Sequence, residues 1–153
     1  MPLRTLLAIS LLLLPALLPA ADWTGFRGPT GQGTSEEKGL PVKWSSTENI
    51  AWKVDLPGPG ASSPIVVGDK VFVTAYSGYG IKANEGDQKD LRRHLVCLNA
   101  KSGEKLWDKT FEPKLPEHNY SGEGAYQGYA GNTPASDGER LYVFFGKSGV
   151  FCF

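Results

Sequence analysis

An all-β fold is what this sequence predicts. Glycine and proline number 19 and 11 in 153 residues, against roughly 7% and 5% in average proteins. Turns are therefore many and helices few. Four Trp, six Tyr and seven Phe supply large apolar groups of the kind a disordered segment lacks. Short apolar runs bounded by Gly, Asp and Asn recur along the chain, with no helical period between them.

Charge excludes two classes of function. Lys and Arg total 16, and Asp and Glu total 16. A nucleic-acid binder needs a surplus of cations to displace counterions, and an acidic disordered tail needs the opposite surplus.

Met1 to Arg4 carries one positive charge, and Leu6 to Leu18 is apolar apart from Ser10 and Pro15. Pro19-Ala20-Ala21 then offers small residues for cleavage. Residues 1–21 thus have the layout of a secretory signal peptide. The apolar run is about 13 residues, short of the roughly 20 that span a bilayer. The sequence therefore predicts no stable membrane span. The first cysteine is Cys97, so no lipid-anchor cysteine lies near the cleavage point. Export places the protein in the periplasm or outside the cell, where two cysteines meet oxidising conditions.

Residues 22–49 follow as an irregular arm, with Gly25, Gly28, Gly31, Gly33 and Gly39 interrupting any period. Trp23 and Phe26 are its expected anchors onto the body. Residues 50–153 carry the strands. Ile50 to Leu56 alternates like a strand and stops at Pro57-Gly58-Pro59-Gly60. Ile65–Val67 and Val71–Val73 flank Gly68-Asp69, a two-residue hairpin turn that exploits positive φ. Residues 77–94, with seven charges between Lys82 and Arg93, read as an exposed insertion loop. Leu95–Leu98 is a strand, residues 101–104 turn the chain, and Leu106–Phe111 returns. A second long loop, rich in Gly and Tyr, covers residues 112–131, and a further strand pair surrounds Asp137-Gly138. Residues 71–73, 95–98 and 141–145 are apolar at consecutive positions, which predicts sheets covered on both faces.

An internal repeat organises these strands. Ser63 to Val73 aligns without a gap on Thr133 to Val143, 70 positions later, and eight of the eleven pairs are identical or chemically alike. Trp52–Leu56 aligns on Trp107–Phe111, and Leu95–Leu98 on Val150–Phe153, both at an offset of 55. A repeated strand–turn–strand unit is the signature of a propeller or solenoid. Phe153 then aligns in mid-strand with Leu98, so the expectation is an incomplete β-propeller, roughly the first two blades of a larger ring. Such a piece is expected to fold poorly alone.

Cys97-Leu98-Asn99-Ala100-Lys101-Ser102-Gly103-Glu104-Lys105-Leu106-Trp107 resembles the tryptophan-docking motif of the PQQ-like, quinoprotein-type β-propeller repeat family. That motif reads Ala-x-Asp-x-x-Thr-Gly-x-x-x-Trp. Gly103 and Trp107 match it, while Cys97, Asn99 and Ser102 replace Ala, Asp and Thr conservatively. Asn99 and Ser102 can bond the turn backbone, Gly103 can take positive φ, and Trp107 is presented to the neighbouring blade. The segment Trp23 to Gly33 is similar to the lead-in of secreted members. The resemblance further implies that Ile50–Leu56 pairs with the last blade to close the ring.

The leading functional expectation is a non-catalytic exported scaffold for a protein or cell-envelope partner or a ligand, with no catalytic residue, cofactor or metal. The resemblance leaves a PQQ- and calcium-dependent dehydrogenase as the alternative, its active-site residues lying beyond residue 153. A glycan-binding propeller is the third reading, using Tyr120, Tyr126 and Tyr129 as a recognition loop. His94 and His118 stand alone in loops and read as surface histidines. Cys97 and Cys152 occupy equivalent repeat positions and read as small buried residues, not as a disulfide. The glycine clusters at 78–80 and 122–128 do not fit a phosphate-loop pattern.

Overall fold

A computed structural model of the protein describes residues 21–82 and 85–153. The predicted signal peptide falls outside them, save for Ala21. Two antiparallel sheets account for the regular structure. The first has strands β1 (Ile65–Val67), β2 (Lys70–Ser77), β3 (Arg92–Asn99) and β4 (Lys105–Phe111), in that spatial order. The second has β5 (Ala135–Ser136), β6 (Leu141–Phe144) and β7 (Val150–Cys152), again in sequence order. The helix α1 (Glu123–Gln127) is a single turn within the second long loop. No helix among the described residues is long and apolar enough to cross a membrane.

Turn chemistry starts the meander. Gly68 has φ +57° and Val67 pairs directly with Lys70, so two residues close the first hairpin. Asp69 is not in the left-handed region, a pattern that suits a II′ turn with Gly first. Gly138, at φ +95°, serves the second hairpin.

The strand registers reproduce the sequence repeat. Ile65 pairs with Phe72 and Val66 with Val71, while Ala135 pairs with Tyr142 and Ser136 with Leu141. Phe72 pairs with Cys97 and Val73 with Val96, while Tyr142 pairs with Cys152 and Val143 with Phe151. The same two offsets therefore relate β1–β2–β3 to β5–β6–β7. The unit is one of structure as well as of sequence.

The sheets pack on each other through one apolar cluster. Ile65, Phe72, Leu95 and Cys97 from the first meet Leu141, Val143 and Phe145 from the second, with Trp107, Phe111 and Phe151 at the margin. Phe111 alone touches three rings, those of Phe145, Phe151 and Phe153. On the opposite face of the first sheet, Val73, Val96 and Leu98 lie beneath Trp52 and Val54. Alternation along β2 and β3 sends successive side chains to these two clusters. The first sheet is thus covered on both faces, as its uninterrupted apolar strands require.

Several expectations are corrected. Ile50–Leu56 forms no strand: Trp52 and Val54 face the sheet and Lys53 faces out, but its backbone joins no ladder among the described residues. Strand β3 begins at Arg92, so the insertion loop is shorter than 77–94, and Leu91 within it is fully buried. Strand β6 is covered on one face only: Leu141, Val143 and Phe145 are buried, while Phe144 is exposed. Phe26 is exposed and anchors nothing. Trp23 does the anchoring, bridging Val66 through paired backbone hydrogen bonds of 2.8 and 2.9 Å.

Candidate functional site

The turn between β3 and β4 carries Asn99, Ser102 and Gly103. Asn99 Oδ1 accepts from the backbone N–H groups of Lys101 and Ser102 at 2.9 and 3.0 Å, and Ser102 Oγ accepts from that of Glu104 at 3.2 Å. Gly103 sits at φ +73°. A Cβ there would fall 2.6 Å from the indole of Trp52. Trp52 lies on the turn and donates Nε1–H to the Ala100 carbonyl at 2.9 Å. Trp107 itself lies elsewhere, against Phe72 in the cluster between the sheets, with the Lys109 ammonium over its ring. The wedge on this turn is therefore Trp52, which the motif does not contain. Its only sequence signal is its alignment with Trp107 at an offset of 55.

His94 is a buried strand residue and not a surface one. Its Nε2 is 2.8 Å from Ser77 Oγ and its Nδ1 is 3.1 Å from Asp108 Oδ1. Strands β2, β3 and β4 supply one member each, so the relay crosses three strands of the first sheet. A Ser–His–Asp chain of this kind is the arrangement that activates a hydroxyl nucleophile. Acyl transfer also needs hydrogen-bond donors aimed at the developing oxyanion. The backbone after Ser77 is instead packed against an acceptor, since a Cβ on Gly78 would collide with the Asp90 carbonyl oxygen. The relay reads as a polar clamp on the sheet.

The tyrosine loop separates into a buried and an exposed part. Tyr129 is buried and packs edge-on to Tyr76, beside Tyr79 and Tyr120, while His118 stacks on it at 4.5 Å. Its hydroxyl donates to the His118 carbonyl at 2.7 Å. Burial, reinforced by Tyr120, lifts the Tyr76 phenol to about 12, and burial followed by Tyr79 raises that of Tyr129. Both phenols stay neutral donors. Tyr120 is half-buried in this cluster, and Tyr126 is 87% exposed. Of the three loop tyrosines, Tyr126 is the one presented to solvent.

Beside this cluster lies an ion pair that the sequence does not announce. Arg93 Nη1 contacts Glu117 Oε1 at 2.8 Å, with side chains 4% and 2% exposed. Arg93 Nε also donates to the Tyr129 carbonyl, and Glu117 Oε1 accepts from the Lys114 N–H. Burial opposes the Glu117 charge, but the Arg93 hydrogen bond and charge outweigh it and hold the carboxyl below its ordinary range. A cleft of about 280 Å³ opens over the pair, walled by Gln127, Tyr129, Asn132 and Lys147. A second cleft, of about 240 Å³, shares Gln127 and Gly128 with the first and is lined by Tyr120 and Tyr126.

Cys97 and Cys152 are both free thiols, the first buried and the second exposed, where burial of both was expected. Cys152 lies on β7, the outer strand of the second sheet among the described residues. His118 is exposed, as expected. Among the described residues no three His, Cys, Asp or Glu side chains gather as a metal would require. No protein-family model, curated protein or solved structure matches this chain.

Proposed function

We propose that the chain supplies the opening blades of an exported PQQ-like β-propeller that acts as a non-catalytic binding scaffold. The observation that carries this reading is the repeated strand register, in which two offsets relate every pair of β5–β6–β7 to a pair of β1–β2–β3. Sheets that repeat in this way and share an apolar face are the units of a propeller. The Trp52 indole on the Gly103 turn supports the same reading, because it covers the second face of the first sheet. The extended segment around Trp52, with its backbone outside any ladder among the described residues, suits a strand that closes a ring.

A binding role follows from where polar groups gather. The long loops at 78–91 and 112–134 lie at one end of the strands, and this end holds both clefts. Rigid sheets presenting irregular loops at one end are a common arrangement for recognition.

The test uses the full-length protein reconstituted with PQQ and Ca²⁺, followed by absorbance and reduction of an electron-accepting dye. No quinone uptake and no dye reduction is the expected result. Stoichiometric uptake with dye reduction overturns the scaffold reading in favour of a dehydrogenase. Export is tested by the N-terminus of the protein recovered from outside the cytoplasm, which should begin near Asp22.

A further inference from the structure

We infer that the two adjoining clefts form one site for a neutral oligosaccharide, with a sugar ring held over the Arg93–Glu117 pair. This deepens the scaffold reading and rests on it.

The floor of the first cleft carries a donor and an acceptor of full charge, both held in place. Arg93 spends Nε on the Tyr129 carbonyl and Nη1 on Glu117 and Ser148. Nη2 has no acceptor among the described residues. Glu117 Oε1 accepts from both Arg93 and Lys114, and Oε2 has no donor among them. No side-chain polar atom here is both fully enclosed and unpartnered. Nη2 and Oε2 therefore reach solvent, and the cleft is the space that both residues line.

Charge decides the class of ligand. The two floor charges cancel and the Lys147 ammonium on the wall is engaged by the Pro116 carbonyl, so the floor itself favours neither a lone anion nor a lone cation over water. A group with a lone pair and a hydroxyl hydrogen on adjacent atoms satisfies both positions at once. Neighbouring hydroxyls on a sugar ring provide that, through charge-assisted hydrogen bonds. The amides of Gln127 and Asn132 on the wall donate and accept in the same way. At about 280 Å³ the cleft sits at the small end of ligand sites and holds about one ring. The second cleft continues it across Gln127 and Gly128 and presents Tyr126, whose exposed ring offers a stacking face to the next sugar.

The protein is titrated with cellotetraose, maltotetraose and mannotetraose, following the amide resonances by NMR. At least one should shift the signals of Gln127, Gly128 and Asn132. Tyr126→Ala and Asn132→Ala change exposed side chains, so both variants should fold, and each should weaken binding about tenfold. Binding of none of the three sugars overturns the inference. So does binding that both substitutions leave unchanged, or displacement of the sugar by millimolar acetate, which would mark an anion site. A protein that takes up neither sugar nor quinone loses this inference and keeps the scaffold reading.

Discussion

The backbone N–H of Ser63 donates to Thr133 Oγ1 at 3.0 Å, across 70 residues of sequence. These two residues occupy the same position in the two repeats, just before β1 and β5. A bond between equivalent positions means that the two units meet where each begins. Nearby, the Ala61 N–H donates to the Ala130 carbonyl at 3.1 Å and Thr74 Oγ1 reaches the Asn132 carbonyl at 3.3 Å.

Thr133→Val keeps the shape of that side chain and removes the acceptor. The Ser63 N–H is then left without its partner in a partly enclosed seam, at a cost of about 1–3 kcal/mol. Thr133→Ser should be close to neutral. Chemical denaturation of the three proteins checks the order, and a Thr133→Val protein as stable as the parent would remove the seam from the account.

Gly103→Ala should be among the most damaging single changes. Its backbone is left-handed, which costs about 1–2 kcal/mol for any residue with a Cβ. The new methyl would also meet the Trp52 indole at 2.6 Å. Trp52→Phe removes only the hydrogen bond to Ala100 and part of the ring, and should cost about 1–3 kcal/mol. Indole fluorescence during unfolding distinguishes the two: in Gly103→Ala the Trp52 environment should already be disturbed in the native baseline.

Local chemistry explains which of these features can be read from the chain. The hairpins at Gly68 and Gly138 and the turn from Asn99 to Gly103 declare themselves through residues whose own backbone preferences make the turn. Arg93 and His94 stay hidden because their burial is decided by pairing with Tyr76 and Ala75 on β2, while the charge-rich sequence around them suggests a surface loop. Ile50–Leu56 shows the converse. Its alternation truly reports which side chains face the sheet, but alternation says nothing about whether a ladder partner is present. Only the repeat marks Trp52, since nothing in its own neighbourhood identifies the turn on which it rests.

The Arg93–Glu117 pair predicts a stability that depends on pH. Burial raises the Glu117 pKa, while the Arg93 hydrogen bond and charge lower it further, leaving it below the ordinary 4.5. A depressed carboxyl contributes its full stabilisation above 4.5, and the contribution is lost as pH falls below that value through the folded pKa. Glu117→Gln leaves the Arg93 guanidinium buried with no opposing charge, at a cost of about 3–5 kcal/mol. The variant should also lose the part of the acid-side slope that belongs to Glu117. Unfolding free energies measured from neutral pH downward check both, and parallel curves for the two proteins would contradict the assignment.

The Ser77–His94–Asp108 relay makes the last prediction, and here chemistry and architecture point in different directions. The distances alone would let His94 draw the proton from Ser77. If they did so productively, a fluorophosphonate probe would label Ser77, and His94→Gln would abolish labelling. On the clamp reading no labelling is expected. A structural clamp has a different signature. Because the three residues stand on β2, β3 and β4, His94→Ala leaves Ser77 and Asp108 without their shared partner in a mostly buried setting. That should cost about 2–4 kcal/mol and raise amide exchange along all three strands together. Rapid, His94-dependent labelling of Ser77 would instead make the relay an active centre and the scaffold reading incomplete.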